Sequence, residues 1–165
     1  WESEPDQTAA LLETMGLEKA GTVSADDEPG GQRRRFSASG PVGKYVDLVE
    51  TGKHGRQGSG TVHHVAFQTP TDADQDAMRK AVRSRGLNPT SQVDRHWFRS
   101  VYFREHAGVL FELATNGPGY DSDEPLAELG DRLVLPGRFG ERREEIEATL
   151  PSVTVPRREQ AEADD

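Results

Sequence analysis

Two stretches of the chain resemble each other, and this internal repeat constrains the fold more than any other feature. GKYVDLVE begins at Gly43 and GVLFELAT begins at Gly108, so the two copies lie 65 residues apart. The alignment places Asp47 and Glu112 at the same position. Because similarity at a fixed period is typical of a repeated supersecondary unit, we expect two copies of one module.

The second copy has the clearer pattern. TVHHVAFQ is typical of a strand, and a helix follows, with Thr71 and Asp74 as a capping box and Gly86 at its C-terminal end. Met78 and Val82 lie on its apolar face. QVDRHWF, SVYFRE and VLFELAT then predict three strands, which makes the module βαβββ.

The first copy has a similar order but no visible opening strand. A helix is predicted between Pro5 and Gly16, followed by a loop at DDEPGG and two strands at RRRFSAS and KYVDLVE. The arginines at 33–35 are expected to keep a strand edge soluble. TGKHGRQGSG is interpreted as a linker.

We therefore predict an α+β fold in which paired βαβββ modules form a curved mixed sheet with helices on its outer face. The first module spans 1–57, with its opening strand missing or truncated, and the second spans 58–117. Residues 118–165 are expected to form a helical, partly disordered tail. Its short helices are predicted at EPLAELGDRL and ERREEIEATL.

Composition excludes several classes of site and partner. The chain has no cysteine, so any metal must be held by His, Asp or Glu. The net charge of −9 argues against a nucleic-acid partner, because phosphate binding requires a positive field. We find no apolar run long enough to span a bilayer and no leader pattern, so the default expectation is a cytoplasmic protein without a membrane partner.

Alternation along the strands of the second module separates an apolar face from a polar face. His64, Tyr102 and Glu112 fall on the polar face, together with Ser100 and Arg104. A carboxylate between VLF and LAT cannot stay ionised in an apolar setting without a partner. That partner is either a metal ion or an arginine, and spacing alone does not decide between them. For His64 the alternative is a hydrogen-bonded structural residue, which is the more common role of a histidine in a strand.

Three stretches of the second module and tail carry a resemblance to a known family. GSGTVHHVAFQTP, DRHWFRSVYFREHAGVLFELAT and DEPLAELGDRLVLP resemble the C-terminal half of ring-cleaving, hydroquinone-type extradiol dioxygenases of the glyoxalase, bleomycin-resistance and dioxygenase (vicinal oxygen chelate) superfamily. The combination of DRxxFRSxYFRExxG with LFELAT is the specific part of the match.

The resemblance implies a site and a reaction. His64 and Glu112 match the metal ligands, with Fe(II) expected and Mn(II) or another divalent ion as the alternative. His63 matches a nearby acid or base, and Arg95 and Tyr102 match residues that hold the substrate hydroxyl and its developing negative charge. A small hydroquinone-like or catecholic aromatic and O2 are the implied partners. Strand alternation predicts that His63 lies opposite His64, so a local twist or bulge would be needed to bring them together.

The family's third ligand, another histidine, lies in an N-terminal half that this chain does not include. We therefore expect that half, or another subunit of a homo-oligomer, to supply it. Two other interpretations stay open: a glyoxalase-like metal isomerase or transferase, and a binding module for an aromatic ligand without catalysis.

Overall fold

A computed structural model describes residues 4–24, 32–40, 42–50 and 58–152. The chain divides into two compact units, Trp1–Gly117 and Pro118–Asp165. The predicted DDEPGG loop, most of the predicted linker and the polar end of the tail lie outside the described residues. The helices and strands are α1 (Glu4–Thr14), β1 (Glu18–Ser24), β2 (Gln32–Ser37), β3 (Tyr45–Val49), β4 (Val65–Thr69), α2 (Asp72–Ser84), β5 (Val93–Asp94), β6 (Arg99–Arg104), β7 (Leu110–Thr115) and α3 (Arg143–Thr149).

The second module has the predicted order of strand, helix and three strands. Its four-stranded sheet has the order β4-β7-β6-β5. β4 and β7 run parallel, which is possible because α2, β5 and β6 intervene between them, and the other neighbouring pairs are antiparallel. This topology brings the start of β4 next to the start of β7, where Val65 pairs with Phe111.

The first module forms a separate antiparallel sheet in the order β1-β2-β3. The α+β class is confirmed, and the described strands form two sheets instead of the single sheet that we expected. β1 was not predicted, because EKAGTVS is almost entirely exposed and bulged at Gly21, and so lacks an alternating apolar pattern. The arginines at 33–35 lie on β2, the central strand, so their interpretation as an edge was wrong.

Helix α2 is fixed to the second sheet by its cap and by one buried amide. Thr71 and Asp74 form the predicted capping box at its N-terminus. Gln75 is 1% exposed, and its side-chain nitrogen donates to the carbonyls of Arg99 and Leu113 at 2.8 and 2.9 Å. Because these carbonyls belong to β6 and β7, the helix holds together the two strands that carry the polar face.

The apolar core agrees with the predicted strand face in the middle of each strand and departs from it at the ends. Val65 and Val109, which alternation assigns to the apolar face, are exposed at 38% and 47%, because Val65 is the first residue of β4 and Val109 precedes β7. The side chains buried in the core come from α1, β2, α2, β6 and β7 and the segment after α1: Ala9, Leu11, Leu12, Met15, Leu17, Phe36, Val82, Val101, Phe103, Phe111 and Leu113.

The tail contains less helix than predicted. The ERREEIEATL segment contains α3, but EPLAELGDRL forms only a three-residue 3-10 turn at Leu126–Glu128. Pro125 immediately precedes this turn, and Gly130, at φ +83°, follows it. A longer helix is therefore not favoured at either end of the turn. None of the helices within the described ranges is both long and apolar enough to cross a membrane.

Candidate metal centre

Three polar side chains of the second module meet around the carboxylate of Glu112. His64 Nε2 lies 2.9 Å from Glu112 Oε2. The hydroxyl of Tyr102 donates to Glu112 Oε1 at 3.0 Å, and the hydroxyl of Ser100 donates to the same oxygen. The two carboxylate oxygens therefore have different partners: Oε1 accepts from two hydroxyls, and Oε2 faces an imidazole.

Strand register explains this arrangement. Tyr102 and Ala66 both pair directly with Glu112, one from each neighbouring strand. Ser100 pairs with Ala114, which makes it a diagonal neighbour of Glu112 on the same face. His64 lies just before β4 and reaches the same carboxylate from the entry to that strand.

Burial makes this carboxylate costly unless it is compensated. The side chain of Glu112 is 5% exposed, whereas that of His64 is 37% exposed. Neutral hydroxyl donors satisfy hydrogen bonds but do not cancel a charge. Compensation here comes either from a protonated His64 or from a cation held by the histidine and the carboxylate together.

None of the arginines considered as partners of Glu112 forms a described contact with it. Arg99 forms an ion pair with Asp72, and Arg104 donates to the carbonyl of Gly108 at 2.8 Å. Arg95 is exposed in the loop between β5 and β6, where its backbone nitrogen donates to the carbonyl of Phe98 at 2.9 Å. Among the contacts of the described residues, those to Glu112 come from His64, Ser100 and Tyr102 instead.

The donor atoms fit a divalent metal as two of its ligands. Two ligand atoms at right angles, each about 2.1 Å from an ion, are about 3 Å apart. The separation of 2.9 Å between His64 Nε2 and Glu112 Oε2 agrees with this value. Within the described part of the chain, no group of three or more His, Cys, Asp or Glu could hold a metal ion, so His64 and Glu112 are two candidate ligands without a third there.

His63 lies against His64 despite the alternation argument. The two Nδ1 atoms are 3.0 Å apart, and the rings meet edge to face. β4 begins only at Val65, so both histidines precede the strand and regular alternation does not apply to them. If His64 Nε2 binds a metal, its proton is on Nδ1 and is donated to His63, which fixes the tautomers of both rings.

The structure places the sequence-predicted residues unequally. His63, His64, Tyr102 and Glu112 form one contiguous group, whereas the exposed side chain of Arg95 makes none of the described contacts to it. The contribution of Ser100 was missed, although alternation had placed it on the polar face. The signal that could have found it is a small hydroxyl residue two positions before Tyr102, on the same face of the strand.

The equivalent position in the first module is occupied by an ion pair. Arg35 pairs with Asp47 across β2 and β3 as Tyr102 pairs with Glu112 across β6 and β7. The guanidinium of Arg35 makes two hydrogen bonds of 2.8 Å to Asp47, and these bonds hold the pKa of the Asp47 carboxyl below its usual value. The charge of Asp47 is therefore compensated within its own module, which is typical of a structural residue.

Comparison with known proteins identifies relatives of the chain. The family described as Glyoxalase/Bleomycin resistance protein/Dioxygenase superfamily matches residues 11–113. MhqO of Bacillus subtilis (strain 168), provisionally named a ring-cleaving dioxygenase, is 39% identical over 149 residues, which cover 89% of this chain and 46% of MhqO. The chlorohydroquinone/hydroquinone 1,2-dioxygenase of Sphingobium indicum is 30% identical over 107 residues, which cover 64% of this chain and 33% of that protein.

A solved structure extends the likeness to the fold. A crystal structure from Bacillus subtilis, provisionally titled a dioxygenase, superposes with a TM-score of 0.80 at 37% identity. The superposition covers 92% of this chain and 47% of that one. The chain thus spans about half the length of the curated relatives it matches.

Proposed function

The chain belongs to the glyoxalase/bleomycin resistance protein/dioxygenase superfamily, and on that premise we propose that it is the metal-binding half of a ring-cleaving dioxygenase. The proposed substrates are hydroquinone-like or catecholic aromatics, and the proposed oxidant is O2. The reaction would break one ring carbon–carbon bond beside a hydroxyl-bearing carbon and place both oxygen atoms in the product. The names of the relatives support the reaction class.

The pairing of His64 Nε2 with Glu112 Oε2 carries this proposal. An imidazole and a carboxylate presented side by side are two of the three ligands of the facial site that non-haem iron oxygenases use. We propose Fe(II) as the ion, with Mn(II) as the alternative. A bound ion of this kind would supply Lewis acidity toward the substrate hydroxyl and the redox chemistry that O2 requires.

The third ligand in this proposal comes from outside the described residues. An N-terminal half, or another subunit of a homo-oligomer, would provide a further imidazole. The exposure of His64 supports this idea, because its ring is accessible to a group approaching from outside the module. A centre with only two protein ligands would bind its ion weakly, so completion of the site and activity are coupled.

The remaining residues have proposed roles in substrate binding and proton transfer. His63 adjoins His64 and is exposed, so it can exchange a proton with the substrate hydroxyl and then with solvent. Tyr102 uses its own proton on Glu112, so its oxygen is available to accept a hydrogen bond from the substrate. Arg95 is proposed to stabilise negative charge on the substrate, which requires its exposed side chain to swing toward the site.

Oxygen uptake tests the proposal. The native protein is loaded with Fe(II) under anaerobic conditions before oxygen and substrate are added. Hydroquinone, substituted hydroquinones and catechol are the substrates, and ring loss is followed by absorbance. We expect one O2 consumed per ring opened, and a decrease of more than about 100-fold in Glu112→Ala and His64→Ala, because each removes a metal ligand. Asp121→Asn, a change at an exposed carboxylate in the other compact unit, is expected to keep full activity.

Two results would contradict the proposal. Metal-dependent turnover of a substrate without oxygen consumption would indicate an isomerase or transferase. Tight binding of an aromatic compound by metal-free protein, with no turnover after loading with Fe(II), would indicate a binding module.

A further inference from the structure

Ser100 lies in the centre of the second sheet and is fully buried, with 0% exposure. Its hydroxyl donates to Glu112 Oε1, the oxygen that Tyr102 also contacts. A buried hydroxyl is stabilised only where it has a hydrogen-bond partner, and here that partner is the carboxylate of the candidate metal centre. No role for Ser100 follows from the proposed reaction itself, since its side chain is shielded from substrate.

The two hydroxyl donors make the carboxylate asymmetric. Oε1 accepts from the hydroxyls of Ser100 and Tyr102, which both lie on β6, so its lone pairs are directed toward the sheet. Oε2 points the other way, toward His64 Nε2. Rotation that brought both oxygens to one ion would break both hydrogen bonds and leave a buried hydroxyl unpaired.

We infer that Ser100 is a positioning residue that, together with Tyr102, anchors Glu112 Oε1 and leaves Oε2 as the only metal-ligating oxygen. This inference rests on the proposed function, because it assigns the ligand atom of the same site. A carboxylate that binds through one oxygen leaves one more coordination position for substrate or O2 than a carboxylate that binds through two. The anchor therefore keeps the centre open.

Metal binding and carboxylate vibrations test the inference in the native protein. Mn(II) is the probe, and its affinity is measured by the loss of the electron paramagnetic resonance signal of the free ion. Infrared difference spectra of protein with labelled glutamate report the frequency splitting between the two carboxylate stretches. We expect Ser100→Ala to weaken Mn(II) binding about 10- to 100-fold, as found for residues that orient a ligand. We also expect its splitting to narrow, because the freed carboxylate can bind through both oxygens.

Tyr102→Phe removes the second donor to Oε1 from a half-buried position and is the variant to use where Ser100→Ala does not fold. Like Ser100→Ala, it is expected to narrow the splitting between the two carboxylate stretches. Thr69→Val is the matched control, because Thr69 is a buried hydroxyl residue on β4 whose side chain donates to the carbonyl of Ala114 at 3.1 Å and does not contact Glu112. This variant is expected to keep both the affinity and the splitting.

The outcomes separate the inference from the function on which it rests. Equal Mn(II) binding by wild type and Glu112→Ala would overturn the metal centre itself. Binding that depends on Glu112, combined with a wild-type splitting in Ser100→Ala and Tyr102→Phe, would overturn the anchor alone. A narrowed splitting in Thr69→Val as well would show a general loosening of the sheet, and it would also overturn the anchor.

Discussion

At the scale of single residues, the equivalent position of the two modules holds a carboxylate with a different partner in each. Asp47 and Glu112 are both carboxylates on the last strand of a module, opposite a partner on the preceding strand. In the first module that partner is Arg35, which cancels the charge directly. In the second module it is Tyr102, which does not, so that carboxylate remains available to bind a cation.

This difference predicts the effect of pH on the first module. Replacement of Asp47 by Asn removes the partner of Arg35 and should lower the free energy of unfolding at pH 7. The pKa of Asp47 is lowered by the hydrogen bonds from Arg35, from a usual value of 3.8, so the stabilisation is complete above that value and is lost as the pH falls through the lower, folded-state pKa. Urea unfolding of wild type and Asp47→Asn at a series of pH values measures the difference.

The control for this experiment is Asp121→Asn, since Asp121 is exposed. It should leave the free energy of unfolding unchanged at every pH. A difference between wild type and Asp47→Asn that persisted undiminished in strong acid would show that the loss has another origin than the ion pair.

At the scale of helices and strands, local pattern predicted what is determined locally. The capping box of α2, the strand faces of β6 and β7, and the order of the second module follow from spacing and alternation. β1 was not predicted from spacing and alternation, because its residues are mostly exposed and its bulge interrupts the pattern. Pairing with β2 holds it in place, and backbone pairing does not need the alternating apolar side chains that reveal a strand in sequence.

The candidate site shows the same division. Alternation placed Tyr102 and Glu112 on one face, since both lie within regular strands. It failed for His63, because the two histidines precede β4 and their backbone is not a regular strand. The hydrogen bond from Ser100 depends on a diagonal contact, which requires the register between strands and cannot be obtained from one strand alone.

The capping box makes a quantitative prediction for α2. Thr71→Ala removes the side-chain oxygen that accepts from the backbone nitrogen of Asp74, and should destabilise the protein by about 1 kcal/mol. Thr71→Ser keeps that oxygen and should lie close to wild type. Thermal unfolding followed by circular dichroism measures both variants. Equal destabilisation by Ala and Ser would show that the methyl group, and not the cap, supports the helix.

At the scale of the first compact unit, one buried carboxylate joins the two modules. Glu105 is 4% exposed, accepts from the hydroxyl of Thr8 on α1 at 2.5 Å, and accepts from the backbone nitrogen of Val109 at 2.8 Å. These bonds connect the helix of the first module to the turn between β6 and β7. Since β6 and β7 carry Tyr102 and Glu112, the connection links the first module to the strands of the site.

Removal of this link should be costly. Glu105→Ala removes the acceptor of the buried Thr8 hydroxyl and of the partly buried Val109 amide, and should destabilise the protein by about 1–3 kcal/mol. Thr8→Val alone should cost less, and the two changes together should cost less than their sum, because they remove one shared bond. Urea unfolding of the four proteins in this cycle measures the coupling. Strict additivity would show that the two side chains do not support each other.

At the scale of the whole molecule, the proposed function requires one divalent ion held by an imidazole and a carboxylate from the second module. A crystal structure of the native protein soaked with Mn(II), with anomalous data collected near the manganese absorption edge, locates such an ion. We expect an anomalous peak within bonding distance of both His64 Nε2 and Glu112 Oε2. A map without a peak there, with the histidine and the carboxylate still in direct contact, would contradict it.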